Sequence, residues 1–388
     1  MNIKFIKCQI MAIMAQLAFI TLVNAQELSE ISIPPNGDNE KAEVSQWIGM
    51  VKITVTYHSP DVHDPFGVDR KGHIWGELVH YGFIDQGYGP RVNSPWRAGA
   101  NESTTISFSQ PVTINNKVIA AGTYALFLDL EKTGPSYWIL SSNIGWGSFQ
   151  YDAKYDVIRI PTNSEDAAYS EWLTYGFDER QTNYTVLFLQ WEKKRFSFKI
   201  EVPDMNQRYI DQMRKDLMGW PGFIATNWIR AAGFCSRSKL NLEEALLWVD
   251  RGIYEPFRGT MALGKLDFST LQVKAAILQN LNRQQDADTV MDHAMRLTGT
   301  TRLSVYNYFQ TLLQNKRNER ALDVARYFQQ LHPEEKFWTY LLLGRSYAAN
   351  NNKRNAIKNW EIALKNVPED QIINLESFKK EINSLKEN

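Results

Sequence analysis

The chain changes its hydrophobic period once, near Pro203. Ahead of that point apolar and polar residues alternate. In Val51-Lys52-Ile53-Thr54-Val55-Thr56-Tyr57 the apolar side chains fall on one face and Lys or Thr on the other, the pattern of a half-buried strand. Phe196-Ser197-Phe198-Lys199-Ile200-Glu201-Val202 repeats it. Short apolar runs at 104–108, 112–114, 118–119, 124–130, 137–141, 157–160 and 185–191 lie between, several of them separated by Gly, Pro, Asn or Ser. Asn115-Asn116 between two such runs predicts a tight hairpin. Many short strands without a helical pattern between them predict an all-β antiparallel sandwich over residues 41–203, with a closed barrel as the alternative. Beyond Pro203 the period becomes helical. Asp204 is placed to cap a helix holding Ile210, Met213 and Leu217, and Asn241 followed by Glu244 predicts a capping box for a helix over 242–253.

The helical half repeats itself. Tyr340, Leu343, Gly344, Tyr347, Ala356, Trp360, Ala363 and Pro368 have the spacing of a tetratricopeptide repeat, a helix hairpin that stacks on copies of itself. Gly344 and Ala356 mark the close approach of the two helices, Tyr347 and Trp360 fill the groove beside it, and Pro368 stops the second helix. The small residue of the second helix recurs at Ala245, Ala287, Ala321 and Ala356, with an insertion expected around 254–268. The matching first-helix positions are Gly233, Ala275, Phe309 and Gly344, so bulky Phe309 predicts a splayed third hairpin. The expected fold is thus multidomain, an all-α tetratricopeptide-like repeat domain over 204–368 following the sandwich. Residues 369–388 are expected to form a capping helix whose apolar face holds Ile372, Ile373, Leu375, Phe378 and Ile382. Arrays of this kind bind other proteins, so a protein partner is expected on the repeats.

The N-terminus points to export. Lys4 and Lys7, a mostly apolar stretch over 10–23, and Val23-Asn24-Ala25 before Gln26 read as a cleavable signal peptide over 1–25, followed by a linker over 26–40. The expected location is the periplasm or the outside of the cell, with no integral membrane segment after cleavage. Cleavage leaves Cys235 as the single thiol, so the fold rests on its core instead of a disulfide framework. Acidic and basic residues number 43 each, which argues against nucleic acid as a partner.

Four segments carry a resemblance. Trp96-Arg97-Ala98-Gly99-Ala100-Asn101-Glu102, Ala121-Gly122-Thr123-Tyr124-Ala125-Leu126-Phe127, Trp146-Gly147-Ser148-Phe149 with Tyr151-Asp152, and Glu171-Trp172-Leu173-Thr174-Tyr175 resemble the blocks of the domain of unknown function 2911. The resemblance spans about 40–253 and implies a secreted, Bacteroidota-type protein, often with helical repeats behind the β-domain. It implies no activity. The chain departs from the family pattern at His58 and in what look like extra loops over 61–69 and 84–95.

Chemistry-bearing residues gather around those blocks. Arg97, Asn101 and Glu102 share a Gly-containing turn that either clamps a carboxylate or sugar or is fixed internally by an Arg–Glu or Arg–backbone network, the reading favoured here. Trp96 and Trp146 sit on Gly-flanked turns from which a ring can meet a sugar face, although packing is the simpler role. Glu102 and Glu171 are the only pair singled out as glycosidase carboxylates. His58, Asp61, His63, Asp64, His73 and His80 are metal-ligand types without ligand spacing, so no metal or other cofactor is expected. The catalytic residues are unknown, since no phosphate loop, nucleophile elbow or Cys–His pairing is visible. Two classes remain: a non-enzymatic binding or scaffold protein with a glycan or small ligand at the β-domain, which is preferred, and an envelope glycan-acting hydrolase.

Overall fold

The computed structural model describes residues 39–64, 66–87, 90–255 and 264–387. The expected signal peptide and nearly all of the expected linker, as well as the middle of the expected 254–268 insertion, lie outside the described residues. The chain divides into two compact units between Met205 and Asn206.

Twelve strands among the described residues build the first unit: β1 (Glu40–Ile48), β2 (Val51–Ser59), β3 (Ile84–Asp85), β4 (Asn93–Ser94), β5 (Thr105–Phe108), β6 (Val112–Ile114), β7 (Lys117–Ile119), β8 (Gly122–Asp129), β9 (Ser136–Ser141), β10 (Asp156–Thr162), β11 (Glu165–Asp178) and β12 (Tyr184–Glu201). One sheet runs β1-β2-β5-β8-β9-β10 and the other β11-β12-β6-β7, all antiparallel, with β3-β4 a separate ribbon. Trp138 of β9, fully buried, packs against Tyr175 of β11 at 6.4 Å and Phe198 of β12 at 5.6 Å, so the two sheets share one core. The Asn115-Asn116 turn has φ of 46° and 61°, the double left-handed geometry a two-residue hairpin needs.

Two runs that look like separate strands in the sequence are one. In β12 the odd residues from Thr185 to Trp191 are buried, and then the even ones, Phe196, Phe198 and Ile200. The phase changes beside Glu192, whose φ is 50° and where the pairing with β11 slips. A bulge adds the residue that keeps both halves facing the same core. β1 begins at Glu40, and its weak alternation fits its place at a sheet edge, where one side meets solvent.

Ten α-helices among the described residues form the second unit: α1 (Met205–Met218), α2 (Ala225–Ser238), α3 (Leu242–Tyr254), α4 (Phe268–Asn280), α5 (Gln284–Arg296), α6 (Arg302–Gln314), α7 (Asn318–Leu331), α8 (Lys336–Ala349), α9 (Lys353–Leu364) and α10 (Leu375–Glu387). The pairs α2/α3, α4/α5, α6/α7 and α8/α9 are hairpins carrying the repeat. Ala245, Ala287, Ala321 and Ala356 are each fully buried. Phe309 is buried too, and α6 and α7 pack less closely than the partners of the other hairpins, because a ring there holds the helices apart. No helix among the described residues is long and apolar enough to cross a membrane.

Three local expectations are corrected. Asn241 precedes α3 at φ 50° and its side chain caps nothing, while Glu244 instead takes Arg214 of α1 in a two-pronged pair at 2.8 and 2.7 Å. A left-handed residue turns its side chain away from the helix end, so the capping box is not formed. In the tail, Ile372 and Ile373 are exposed in a 3-10 turn over Glu369–Asn374, and only Phe378 and Ile382 of α10 are buried, with Phe378 against Phe337 and Trp360. Gly233 is also less crowded than its repeat position implies, since an added Cβ would lie 3.4 Å from Arg237 Nη1 and 3.7 Å from Val273.

Candidate ligand-binding site

The turn over 96–103 is built by its own letters. Ala98 and Asn101 stand in left-handed backbone at φ 50° and 56°. Gly99 lies so close to Thr104 that a Cβ would sit 2.5 Å from its Oγ1. Thr104 Oγ1 and the Tyr175 hydroxyl both donate to the Ala98 carbonyl, at 3.1 and 2.7 Å, which ties the turn to the opposite sheet. Ala100 N–H donates to the His58 carbonyl at 3.2 Å, tying it to the end of β2.

Of the two internal networks expected for this turn, Arg97 makes the one to the backbone and, among the described residues, no ion pair with Glu102. Arg97 Nη1 donates to the Asn101 carbonyl at 2.5 Å, and its guanidinium lies 4.9 Å over the Phe149 ring. Its shaft runs beneath Gly147, where a Cβ would meet Arg97 Cδ at 2.9 Å. Burial pulls the Arg97 pKa down, opposed in part by the charge of Glu102. Glu102 itself meets His58, with Oε2 2.5 Å from Nε2. The chain reversal at Ala98 and Asn101 sends the two side chains to different neighbours. His58 Nδ1 has the Asn101 amide and the Asn39 carbonyl at 3.1 Å each. With Glu102 at Nε2 and Asn39 and Asn101 at Nδ1, both ring nitrogens of His58 are engaged.

A second segment locks onto this turn. Ser103 Oγ donates to the Gly145 carbonyl and accepts from Gly147 N–H at 2.8 Å. Ser148 Oγ donates to the Pro95 carbonyl at 2.9 Å. Gln150 Oε1 accepts from Trp146 N–H at 3.2 Å and lies over Gly145, where a Cβ would be 2.2 Å away. Trp146 therefore stands on a fixed turn, 55% exposed, with one face stacked on Phe149 at 6.5 Å and 23°. Between the two segments is a cavity of about 380 Å³ lined by Lys41, His58, Glu102, Ile144, Trp146 and Gln150.

Across the same turn lies a larger cavity of about 690 Å³, lined by Asp61, Arg70, His80, Trp96, Arg97 and Asn101 among others. Asp61 from the first extra loop of the sequence and Ile84, Asp85 and Gln86 from the second supply part of its wall. Arg70 holds the first of these loops, donating to the carbonyls of Val62, Asp61 and His63 at 3.1, 3.2 and 2.7 Å. Trp96 is not displayed on the turn. Its ring is 7% exposed, stacked on Trp191 at 6.3 Å and meeting Trp75 edge-on at 5.9 Å, so it belongs to the core with only a margin on the cavity.

Glu171 lies apart from both cavities. It accepts from the Tyr169 hydroxyl and stands 2.5 Å from His63 Nδ1, partners that hold its carboxyl below the usual range and raise His63. The Glu102–Glu171 pairing of a glycosidase is thus not assembled. Among the described residues no three of His, Cys, Asp or Glu converge as a metal site. The structure unites Glu102 and Trp146 in one cavity and Trp96, Arg97 and Asn101 in the other. Lys41, Ser103 and Gln150 were not singled out from the sequence. Ser103, directly after Glu102, was the one within reach.

These features define a β-sandwich with a motif-built surface site, joined to helical hairpin repeats. Residues 39–200 match the model of the family described as Protein of unknown function (DUF2911). No curated protein matches the chain. Among solved structures it is similar to MamA 41-end from Desulfovibrio magneticus RS-1, at 22% identity over 44% of this chain and 97% of that one, TM-score 0.24. The MamA RS-1 ArsTM double mutant matches at 22% identity with the same coverage and a TM-score of 0.25.

Proposed function

We propose that this chain is an exported, non-enzymatic binding protein whose helical hairpins hold a protein partner while its β-domain holds a small ligand. The observation that carries the reading is an open groove of about 670 Å³ in the helical unit, walled by Met213, Leu217, Ile229, Phe234 and Val273. Arg230 and Arg237, two turns apart on α2, line the same groove, are exposed and form no ion pair among the described residues. Met218, Trp220 and Phe223, just ahead of α2, are exposed at 79%, 66% and 52%. Apolar walls beside unpaired cations fit a partner segment with apolar anchors and acidic flanks. Export rests on the sequence of residues 1–25, and the mature chain is expected to begin at Gln26, which intact-mass analysis of the exported protein reads directly. The separate settings of Glu102 and Glu171 favour binding over glycan hydrolysis.

A photoreactive amino acid at Phe234, in the native host, tests the groove. One discrete cross-linked partner, lost when Arg230 and Arg237 are both changed to Glu, supports the reading. Cross-linking no stronger than from a position on the outer surface of α7 overturns it.

A further inference from the structure

We propose that the cavity between Trp146 and Glu102 is a saccharide site that takes a neutral sugar of gluco configuration. This rests on the reading of the β-domain as a ligand-binding module and is independent of the helical groove. Trp146 is the first reason. Trp47 and Trp172 are also exposed, at 57% and 45%, but they sit on strands away from this cavity. The Trp146 turn is held by Ser103 at two points and by Gln150, and its ring is backed by Phe149, itself beneath the Arg97 guanidinium. A rigid, backed indole with one open face is suited to the flat C–H face of a pyranose whose hydroxyls are all equatorial.

The polar groups complete the match. Glu102 Oε2 is engaged by His58, whereas Oε1 makes no hydrogen bond among the described residues, and the carboxylate is half exposed. The Gln150 amide nitrogen and the Lys41 ammonium also have no partner among the described residues. The cavity thus offers one acceptor and two donors to neighbouring hydroxyls. The Lys41 ammonium and the Glu102 carboxylate line the same cavity, so it presents charge of both signs, which favours an uncharged ligand over an acidic or amino sugar. The volume, about 380 Å³, lies at the lower end of the ~300–1,000 Å³ typical of ligand pockets, enough for one ring, with a second ring over the exposed indole.

Calorimetric titration of the full mature chain with cellobiose tests this, with glucuronate and glucosamine as charged controls. Cellobiose should bind, and Trp146→Ala and Glu102→Gln should each weaken it by roughly three- to tenfold. Trp146→Phe should recover part of the loss, and all three variants should melt as the wild type does. Unchanged affinity in Trp146→Ala overturns the proposal, as does preference for either charged sugar. If cellobiose fails to bind while glucuronate or sulfate raises the melting temperature through Trp146 or Glu102, the neutral-sugar assignment falls and the ligand reading stands. If neither sugars nor anions act through these residues, both fall.

Discussion

Two glycines at equivalent positions of the helical repeat should respond to the same change with opposite sign. Gly344 of α8 faces the Trp360 ring, and an added Cβ would lie 2.8, 3.1 and 3.2 Å from Cδ1, Cγ and Nε1. That ring cannot step aside. Trp360 is 1% exposed, with Phe378 at 6.0 Å and the Arg345 guanidinium at 5.6 Å. Replacing a mid-helix glycine by alanine favours the helix by about 1 kcal/mol, whereas overpacking a tight core costs about 1–3 kcal/mol. Gly344→Ala is therefore expected to lose about 1 kcal/mol net. At Gly233 the nearest atoms to an added Cβ are 3.4 and 3.7 Å away, and the nearer belongs to the long, exposed Arg237. Gly233→Ala should keep nearly the whole helix gain, about 1 kcal/mol. Urea unfolding of the full chain, followed by the helix signal of circular dichroism, measures both. The reasoning fails if the two variants shift in the same direction, or if Gly344→Ala is the more stable.

Because Arg97 and Glu102 have separate partners, a double-mutant cycle with Arg97→Met and Glu102→Gln should show coupling below about 0.5 kcal/mol. Arg97→Met alone should cost about 1–3 kcal/mol through the loss of a charged donor to the Asn101 carbonyl, and coupling well above that limit would restore the ion pair. For His63 and Glu171 the pH window follows from opposite shifts. Glu171 is lowered, first by Tyr169 and then by His63, so its contribution is complete above its ordinary 4.5 and fades as pH falls through the folded value. His63 is raised, chiefly by its hydrogen bond to Glu171, so its contribution is complete below its ordinary 6.5 and fades as pH rises through the folded value. The pair should stabilise most between pH 4.5 and 6.5, and His63→Gln should flatten the melting temperature there by a small amount, both groups being exposed. An unchanged pH profile would count against the pair.

Legibility in the sequence followed the range of the forces involved. Period alone places β2, the β6–β7 hairpin and the repeat alanines, since each depends on near neighbours. It divides β12 in two, because a bulge at Glu192 inverts the alternation while the strand continues. β1 is obscured by its edge position, which relaxes the demand for buried residues. The site is where sequence distance matters most. His58 ends the polar face of β2, and only the fold brings its imidazole to Glu102. The run Trp96 to Glu102 reads as a single charged cluster, but left-handed backbone at Ala98 and Asn101 deals its side chains to the core, to Phe149 and to His58. No pattern of residue types announces where a chain will reverse twice.

The interlock of the Trp96–Ser103 turn with the Trp146 segment also separates the letters of the motif by what they answer to. Ala98, Gly99, Ser103 and Thr104 answer to the chain itself, through a crowded Cβ position, a shared carbonyl and a staple between loops. Gln150 joins them through the Trp146 N–H, whereas the exposed side chains of Trp146 and Lys41, on the proposal made above, answer to a ligand. A relative that keeps the first set and exchanges the second would hold the same architecture with a different appetite. Drift in the first set would blunt the site without touching a single residue that faces the ligand.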